Sequence, residues 1–150
     1  MGHEEVPMSL DWIDQHRELY LRDPEKGHYW DSTVVGGPGP VQTLLLTTTG
    51  RKSGKARVMP LIYGKVEEGY LIVASKGGAP QHPDWYVNLQ AHPEVEVQVA
   101  SHKFKARAET VTDARRQQYW DFMLPIWPPY ADYQKKTERE IPVVLLRPQA

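Results

Sequence analysis

The sequence predicts an α+β protein that is mainly β: a small six-stranded antiparallel barrel, preceded by one helix and interrupted by others. Three observations carry this reading. Segments rich in β-branched and aromatic residues follow one another closely, with short glycine-containing turns between them, which is the pattern of consecutive hairpins. The stretch VEVQVA (95–100) alternates strictly, and KFKARAETV (103–111) is placed to pair back on it. Helical spacing is confined to short stretches bounded by proline.

Taken in order, Ser9 is placed to cap a helix over residues 10–22. Leu10, Ile13, Tyr20 and Leu21 share a face, and Asp11 and Asp14 sit near the positive end of the dipole. The helix ends at Asp23-Pro24, because a residue before proline is pushed out of the helical region. GGPGP (36–40) is an irregular lead-in. Strands follow over 42–49, 56–65 and 70–75, divided by GRKSGK and by Glu67-Glu68-Gly69. A short helix runs from Pro83 to Ala91, with proline in its first turn. After the 95–100 and 103–111 strands, a helix beginning at Asp113 carries Tyr119, Trp120, Phe122 and Met123 and is broken at Pro125, Pro128 and Pro129. PVVLLRP (142–148) is the last strand.

A chain of 150 residues, 40% hydrophobic and 25% charged, fits one soluble domain with a sizeable core. Its formal charge of −1 is unevenly spread. Residues 1–31 hold eight acids against three Lys or Arg, whereas residues 32–66 hold no acid and leave Arg51, Lys52, Lys55, Arg57 and Lys65 unopposed. Such a local cationic field in a near-neutral protein suits a small polyanion better than nucleic acid, which calls for a broader basic surface. With no cysteine, disulfides and thiol chemistry are excluded, and a cytoplasmic location is expected. MGHEEVPMSLDW lacks the basic start and apolar run of a secretory signal, and no apolar run is long enough to span a bilayer.

Three stretches carry candidate chemistry. TTTGRKSGKARVMP (47–60) puts four cations and two glycines around one turn. It reads either as a solvated hairpin or as an anion cradle in which glycines admit backbone N–H groups, arginines supply forks and lysines point charges. It is not a phosphate loop of the GxxxxGK[ST] type, since that spacing is absent and no helix follows. ASKGGAPQHPDWYVNL (74–89) ends a strand in Ser75-Lys76, offers two glycines for close approach, and opens a helix bearing Trp85 and Asn88. It is equally readable as a glycine-rich loop with Trp85 as a core anchor. LPIWPPYADY (124–133) spaces Trp127, Tyr130 and Tyr133 three apart, either as a core stripe or as one face of a proline-stiffened lid. The six histidines lack metal-binding spacing, and there is no GxSxG. The residues alone thus describe an anion-binding barrel without naming its ligand.

The stretches LLLTTTGRKSGKARVMPLIY, IVASKGGAPQHPDWYVNLQAHPEVEVQV and YADYQKKTEREIPVVLLRP, in that order, resemble the deazaflavin (coenzyme F420)-dependent nitroreductase family of actinobacteria over residues 41–148. The resemblance implies a split β-barrel related to FMN-binding barrels, with 41–150 as the F420-binding domain and 1–40 as a helix and lead-in. It implies hydride reduction by reduced F420 and no metal. Arg51, Lys52, Lys55 and Arg57 match the family's GRK[ST]GxxR motif, expected to hold the cofactor's phosphodiester and oligoglutamate tail. Pro60, Ala74, Ser75, Lys76 and Gly77 fall in segments beside the deazaflavin, and Trp85 and Asn88 match a WYxN signature also lining it. Tyr130, with Tyr133 or Ser75, occupies positions that line the acceptor pocket and can donate a proton, a phenol being protonated at neutral pH. Where some relatives have tyrosine, this chain has Trp127, which disfavours bicyclic nitroimidazoles and leaves quinones, enones, coumarin-type lactones or other nitroaromatics as acceptors. The acidic N-terminal segment gives no indication of membrane docking without excluding it, and a monomer or weak dimer is expected. An FMN-binding oxidoreductase of the same fold and a non-catalytic F420 carrier are the alternatives.

Overall fold

The computed structural model describes residues 8–35, 37 and 39–149. The acidic residues 1–7, and Gly36 and Pro38 of the GGPGP lead-in, lie outside the described residues. The mainly-β α+β architecture stands, but the described residues form eight strands rather than six.

Helix α1 (Met8–Arg22) already includes Ser9, expected as its cap, and is followed by a single turn, α2 (Pro24–Gly27), capped by Asp23. Pro24 ends one helix and serves as the first residue of the next, where its missing N–H costs nothing. Tyr20 is fully buried and bolts α1 to the barrel. Its hydroxyl reaches the carbonyls of Thr43 and Gln98 at 2.9 and 3.2 Å and accepts from the Ala100 N–H at 2.8 Å. Leu21, expected on the same face, is instead 57% exposed, because one residue beyond the buried Tyr20 stands about 100° round the helix.

Two additional strands account for the count. The short β1 (Tyr29–Asp31) pairs antiparallel with the start of β2 (Pro40–Thr49), a pairing that three residues of sequence could not announce. The expected strand 56–65 is two strands, β3 (Ala56–Ile62) and β4 (Gly64–Val66), broken at Tyr63. β3 pairs with β2, and β4 pairs with β5 (Gly69–Val73), so the chain turns a corner at Tyr63 and joins the two ends of the sheet. From β2 the sheet runs through β6 (Glu94–Val99), β7 (His102–Thr110) and β8 (Val143–Pro148) to β5, every pair antiparallel.

The run VVLL in β8 is apolar without alternation because both of its faces are covered. Val144 and Leu146 join Leu44, Leu46, Ile72 and Val97 inside the barrel, together with Trp85, Tyr86 and Leu89 of α3 (Asp84–Ala91). Val143 and Leu145 join Leu71, Val73 and Val111 beneath α4 (Arg115–Met123) and α5 (Pro129–Lys135), which contribute Tyr119, Met123 and Tyr130. Phe122 of α4 points away and is 43% exposed. Among the described residues no helix is long and apolar enough to cross a membrane.

Candidate active site

Strands β2 and β3 are joined by a tight turn in which the Gly50 N–H bonds Lys55 O and the Gly54 N–H bonds Gly50 O, both at 2.8 Å. Gly54 takes φ +71°, a conformation glycine adopts without steric cost. The turn leaves Arg51, Lys52, Lys55 and Arg57 exposed. They are not equivalent. Arg51 is held: its backbone N–H and one guanidinium N–H both donate to the Asn88 side-chain oxygen, at 3.1 and 2.8 Å, and its other nitrogen lies 3.5 Å from Asp84. Among the described residues Lys52, Lys55 and Arg57 enter no ion pair.

Asn88 is buried, and its amide nitrogen approaches the Thr48 hydroxyl at 3.5 Å. It lines the cavity as expected, and its side-chain oxygen holds Arg51 in place there. Trp85, one turn earlier on α3, is 8% exposed and packs edge-on against Tyr86 while also lining the cavity.

Opposite this hairpin, β5 runs into a turn at Ser75 to Gly78. Three successive residues there have positive φ: Lys76 at 47°, Gly77 at 63° and Gly78 at 85°. A helical Ser75 followed by a left-handed Lys76 turns neighbouring N–H groups towards one side, the geometry of an anion or carbonyl cradle. A Cβ at Gly77 would meet nothing within 4 Å, so open space faces it. A Cβ at Gly78 would come within 2.8 Å of Tyr133 O, which brings the turn hard against α5.

The third wall is aromatic. Trp127 and Tyr130 are buried, and the Trp127 indole N–H points to the Tyr133 hydroxyl at 3.4 Å. Tyr130 and Tyr133 meet edge to face at 6.3 Å. Tyr130 has no hydrogen-bond partner among the described residues, and burial, aided by Tyr133, pushes its phenol well above the ordinary range. It therefore stays protonated. Trp127 packs on Trp30 at 5.9 Å, and Trp30 stacks on His16 of α1 at 6.3 Å. His16 has its Nε2 bonded to Gly27 O at 2.9 Å, and burial lowers its pKa, favouring the neutral ring with the proton on Nε2.

These walls enclose one cavity of about 1280 Å³. That exceeds the roughly 300–1,000 Å³ of a site for one small molecule and leaves room for two. Arg51, Lys52 and Arg57 line it, as do Pro60, Ser75, Lys76 and Gly77, along with the aromatic residues at 85, 127, 130 and 133. Two predicted residues do not. Lys55 stays on the outer side of its turn, and Ala74 is fully buried with its carbonyl accepting from Arg139.

The contribution of the N-terminal elements went unforeseen: Ile13, His16 and Arg17 of α1 and Trp30 of β1 line the cavity as well. The guanidinium of Arg17 bonds Val58 O at 2.8 Å and seats α1 on the edge of the cavity. No local motif marks these residues, since only the docking of α1 brings them there. Arg139 was likewise missed, although it stands in the TERE run just before β8.

A family model described as F420H(2)-dependent quinone reductase matches residues 21–148. The chain is 42% identical over 141 residues to an F420H(2)-dependent quinone reductase of Mycobacterium tuberculosis, covering 90% of this chain and 95% of that protein. Among solved structures, one of an F420-H2 dependent reductase matches with a TM-score of 0.65 and 42% identity over 70% of this chain and 93% of the other. Another, described as a domain-swapped dimer, matches with a TM-score of 0.68 and 37% identity over 93% and 99%. An FAD-binding protein from Mesorhizobium loti, 16% identical with a TM-score of 0.54 over 72% and 79%, shares the fold.

Proposed function

The chain belongs to the F420H(2)-dependent quinone reductase family and is a reductase of that type, and from this premise we propose that the cavity described above holds the deazaflavin beside a small quinone. The observation that carries the proposal is the composition of that cavity: exposed cations on one wall, a glycine turn facing open space on another, and buried aromatic residues on the third. This set fits a flat ring with a polyanionic tail. It exceeds what FMN needs, since FMN has one phosphate and no glutamates.

Bound there, reduced F420 supplies a hydride. The chain's own part is to bind, orient and protonate. Arg51, pre-set by Asn88 and Asp84, with Lys52 and Arg57, grips phosphate and carboxylate oxygens. The Ser75–Gly77 turn offers backbone N–H groups to the polar edge of the ring, and Gly77 leaves room for its face. Trp127 and Tyr133 flank the acceptor, and the aromatic wall limits water. Tyr130 donates its phenolic hydrogen to the oxygen of the quinone on which charge develops, with Ser75 as a second donor. Hydride and proton together convert quinone to quinol. Nitroaromatics, enones and coumarin-type lactones belong to the same acceptor class, electrophiles that become oxyanions. The absence of cysteine suits a reducing, cytoplasmic setting.

The test is steady-state oxidation of F420H2 with menadione, beside fluorescence titrations of F420 and FMN. Turnover with F420 binding is expected. Tight FMN binding with none of F420 would sink the proposal, and F420 binding without turnover on any acceptor would favour a carrier.

A further inference from the structure

The turn beside the proposed ring site has three consecutive positive φ values, and Lys76 among them is not a glycine. A backbone in that state persists only where its surroundings hold it. The Gly78 and Ala79 N–H groups close the turn on Ser75 O and Lys76 O at 2.9 and 3.1 Å, and one side chain ties the closed turn down. The guanidinium of Arg139 donates from Nη1 to Ala74 O at 3.2 Å, from Nη2 to Ser75 O at 2.8 Å and from Nε to Ala79 O at 2.9 Å. Nη1 also meets His82 Nδ1 at 3.0 Å. Two of these partners precede the left-handed run and two follow it, so the fork is a post around which the turn is wound. A planar donor set can do this; an ammonium, a single compact charge, cannot reach acceptors on both sides in fixed directions.

The same residue is tied to the wall that carries the tyrosines. Gln134 of α5 donates to the Arg139 carbonyl at 2.8 Å and accepts from the Ile141 N–H at 3.0 Å. Gly78 lies directly against the α5 backbone at Tyr133. Arg139 thus links both elements whose separation sets the distance between Ser75–Gly77 and Tyr130.

We propose that Arg139 is a positioning residue for catalysis: it fixes the Ser75–Gly78 turn against α5 and so sets the alignment of the cofactor ring with the proton donor, without touching either ligand. This rests on reading the cavity as the F420 and quinone site. A misplacement of about 1 Å in such an arrangement costs on the order of 100-fold in rate.

The decisive variant is Arg139→Lys, which keeps the charge and loses the fork. In the unliganded protein, exchange of the hydrogen-bonded Gly78 and Ala79 amides should rise at least about tenfold while β2 and β8 amides stay protected. Turnover should fall by at least about tenfold and by a larger factor than F420 affinity, because the cationic hairpin that grips the tail is untouched while the turn that meets the ring is loosened. Gln134→Ala provides the second arm: it cuts the tie to α5 with the guanidinium in place, so turnover should fall without faster exchange at Gly78 and Ala79. Wild-type exchange and turnover in Arg139→Lys, wild-type turnover in Gln134→Ala, or a loss of turnover that merely follows the loss of folded protein would each overturn the inference. If wild-type protein fails to bind F420, the functional reading falls by itself, and the exchange experiment still decides whether Arg139 holds the turn.

Discussion

Asn88 offers the sharpest separation of stability from ligand binding. Its buried side-chain oxygen accepts from both the backbone N–H and the guanidinium of Arg51. Replacing it with alanine removes one neutral and one charge-assisted hydrogen bond, worth roughly 0.5–1.5 and 1.5–3 kcal/mol in a fully buried setting. Arg51 is about a third exposed, 32% by side-chain area, so water recovers part of this. The expected net loss is about 1–3 kcal/mol. For a chain of this size that is a fall in Tm of about 3–10 °C. Freed from Asn88, the Arg51 side chain must be ordered anew by the ligand, costing about 0.5–1.5 kcal/mol, or roughly two- to tenfold in F420 affinity.

Asn88→Asp makes the contrast. It keeps an acceptor for both Arg51 donors, and the Thr48 hydroxyl can rotate to donate instead of accept. Stability should therefore hold, while the new carboxylate neutralises the cation meant for the cofactor. F420 affinity should drop about tenfold or more and become less sensitive to salt. Thermal unfolding and fluorescence titration at two salt concentrations measure both. Wild-type affinity in Asn88→Asp would refute the assignment of Arg51 to the anionic tail, and a wild-type Tm in Asn88→Ala would refute the energetics.

Lys52→Ala combined with Arg57→Ala should weaken F420 binding about 10- to 100-fold at low salt and less as ionic strength rises, since both side chains are exposed; titration across salt concentrations reads this. Tyr130→Phe should cut turnover about 100-fold or more with F420 affinity nearly unchanged. Because burial holds the Tyr130 proton on, the wild-type rate should show no alkaline loss from this residue up to about pH 10. Gly78→Ala should cost more in stability and turnover than Gly77→Ala, which pays only the roughly 1–2 kcal/mol of a left-handed residue, because only at 78 does a new Cβ strike α5. His16 has its pKa lowered from 6.5 by burial, so the unfolded chain binds more protons just below that pH. Its contribution to stability is complete above pH 6.5 and is lost as pH falls; urea midpoints at pH 7 and pH 5 should show the drop, and His16→Gln should shrink it.

Much of the barrel was readable because its signals are local. VEVQVA alternates since Val95 and Val97 enter the core while Glu96 faces water, and GRKSGK is a turn in which Gly54 takes a conformation other residues resist. The strand over 56–65 misled for an equally physical reason. Backbone propensity runs unbroken through Tyr63, while the change of partner from β2 to β5 is a property of the closed sheet. The cationic turn, the SKGG turn and the spaced aromatic residues could each be found as motifs, since each is a few contiguous residues with distinctive chemistry. Their division of labour could not. That Lys55 lies outside the cavity, that Asn88 serves Arg51, and that Arg139 winds the turn from 64 residues away are matters of long-range hydrogen bonding. The same holds for α1, whose His16 and Arg17 reach the cavity only because Tyr20 is buried against β2 and β6. Element type and the kinds of chemistry present follow from neighbours along the chain, where propensity and charge density act; which groups meet, and which are already satisfied, follows from packing between segments distant in sequence, where burial leaves each polar atom to find a partner.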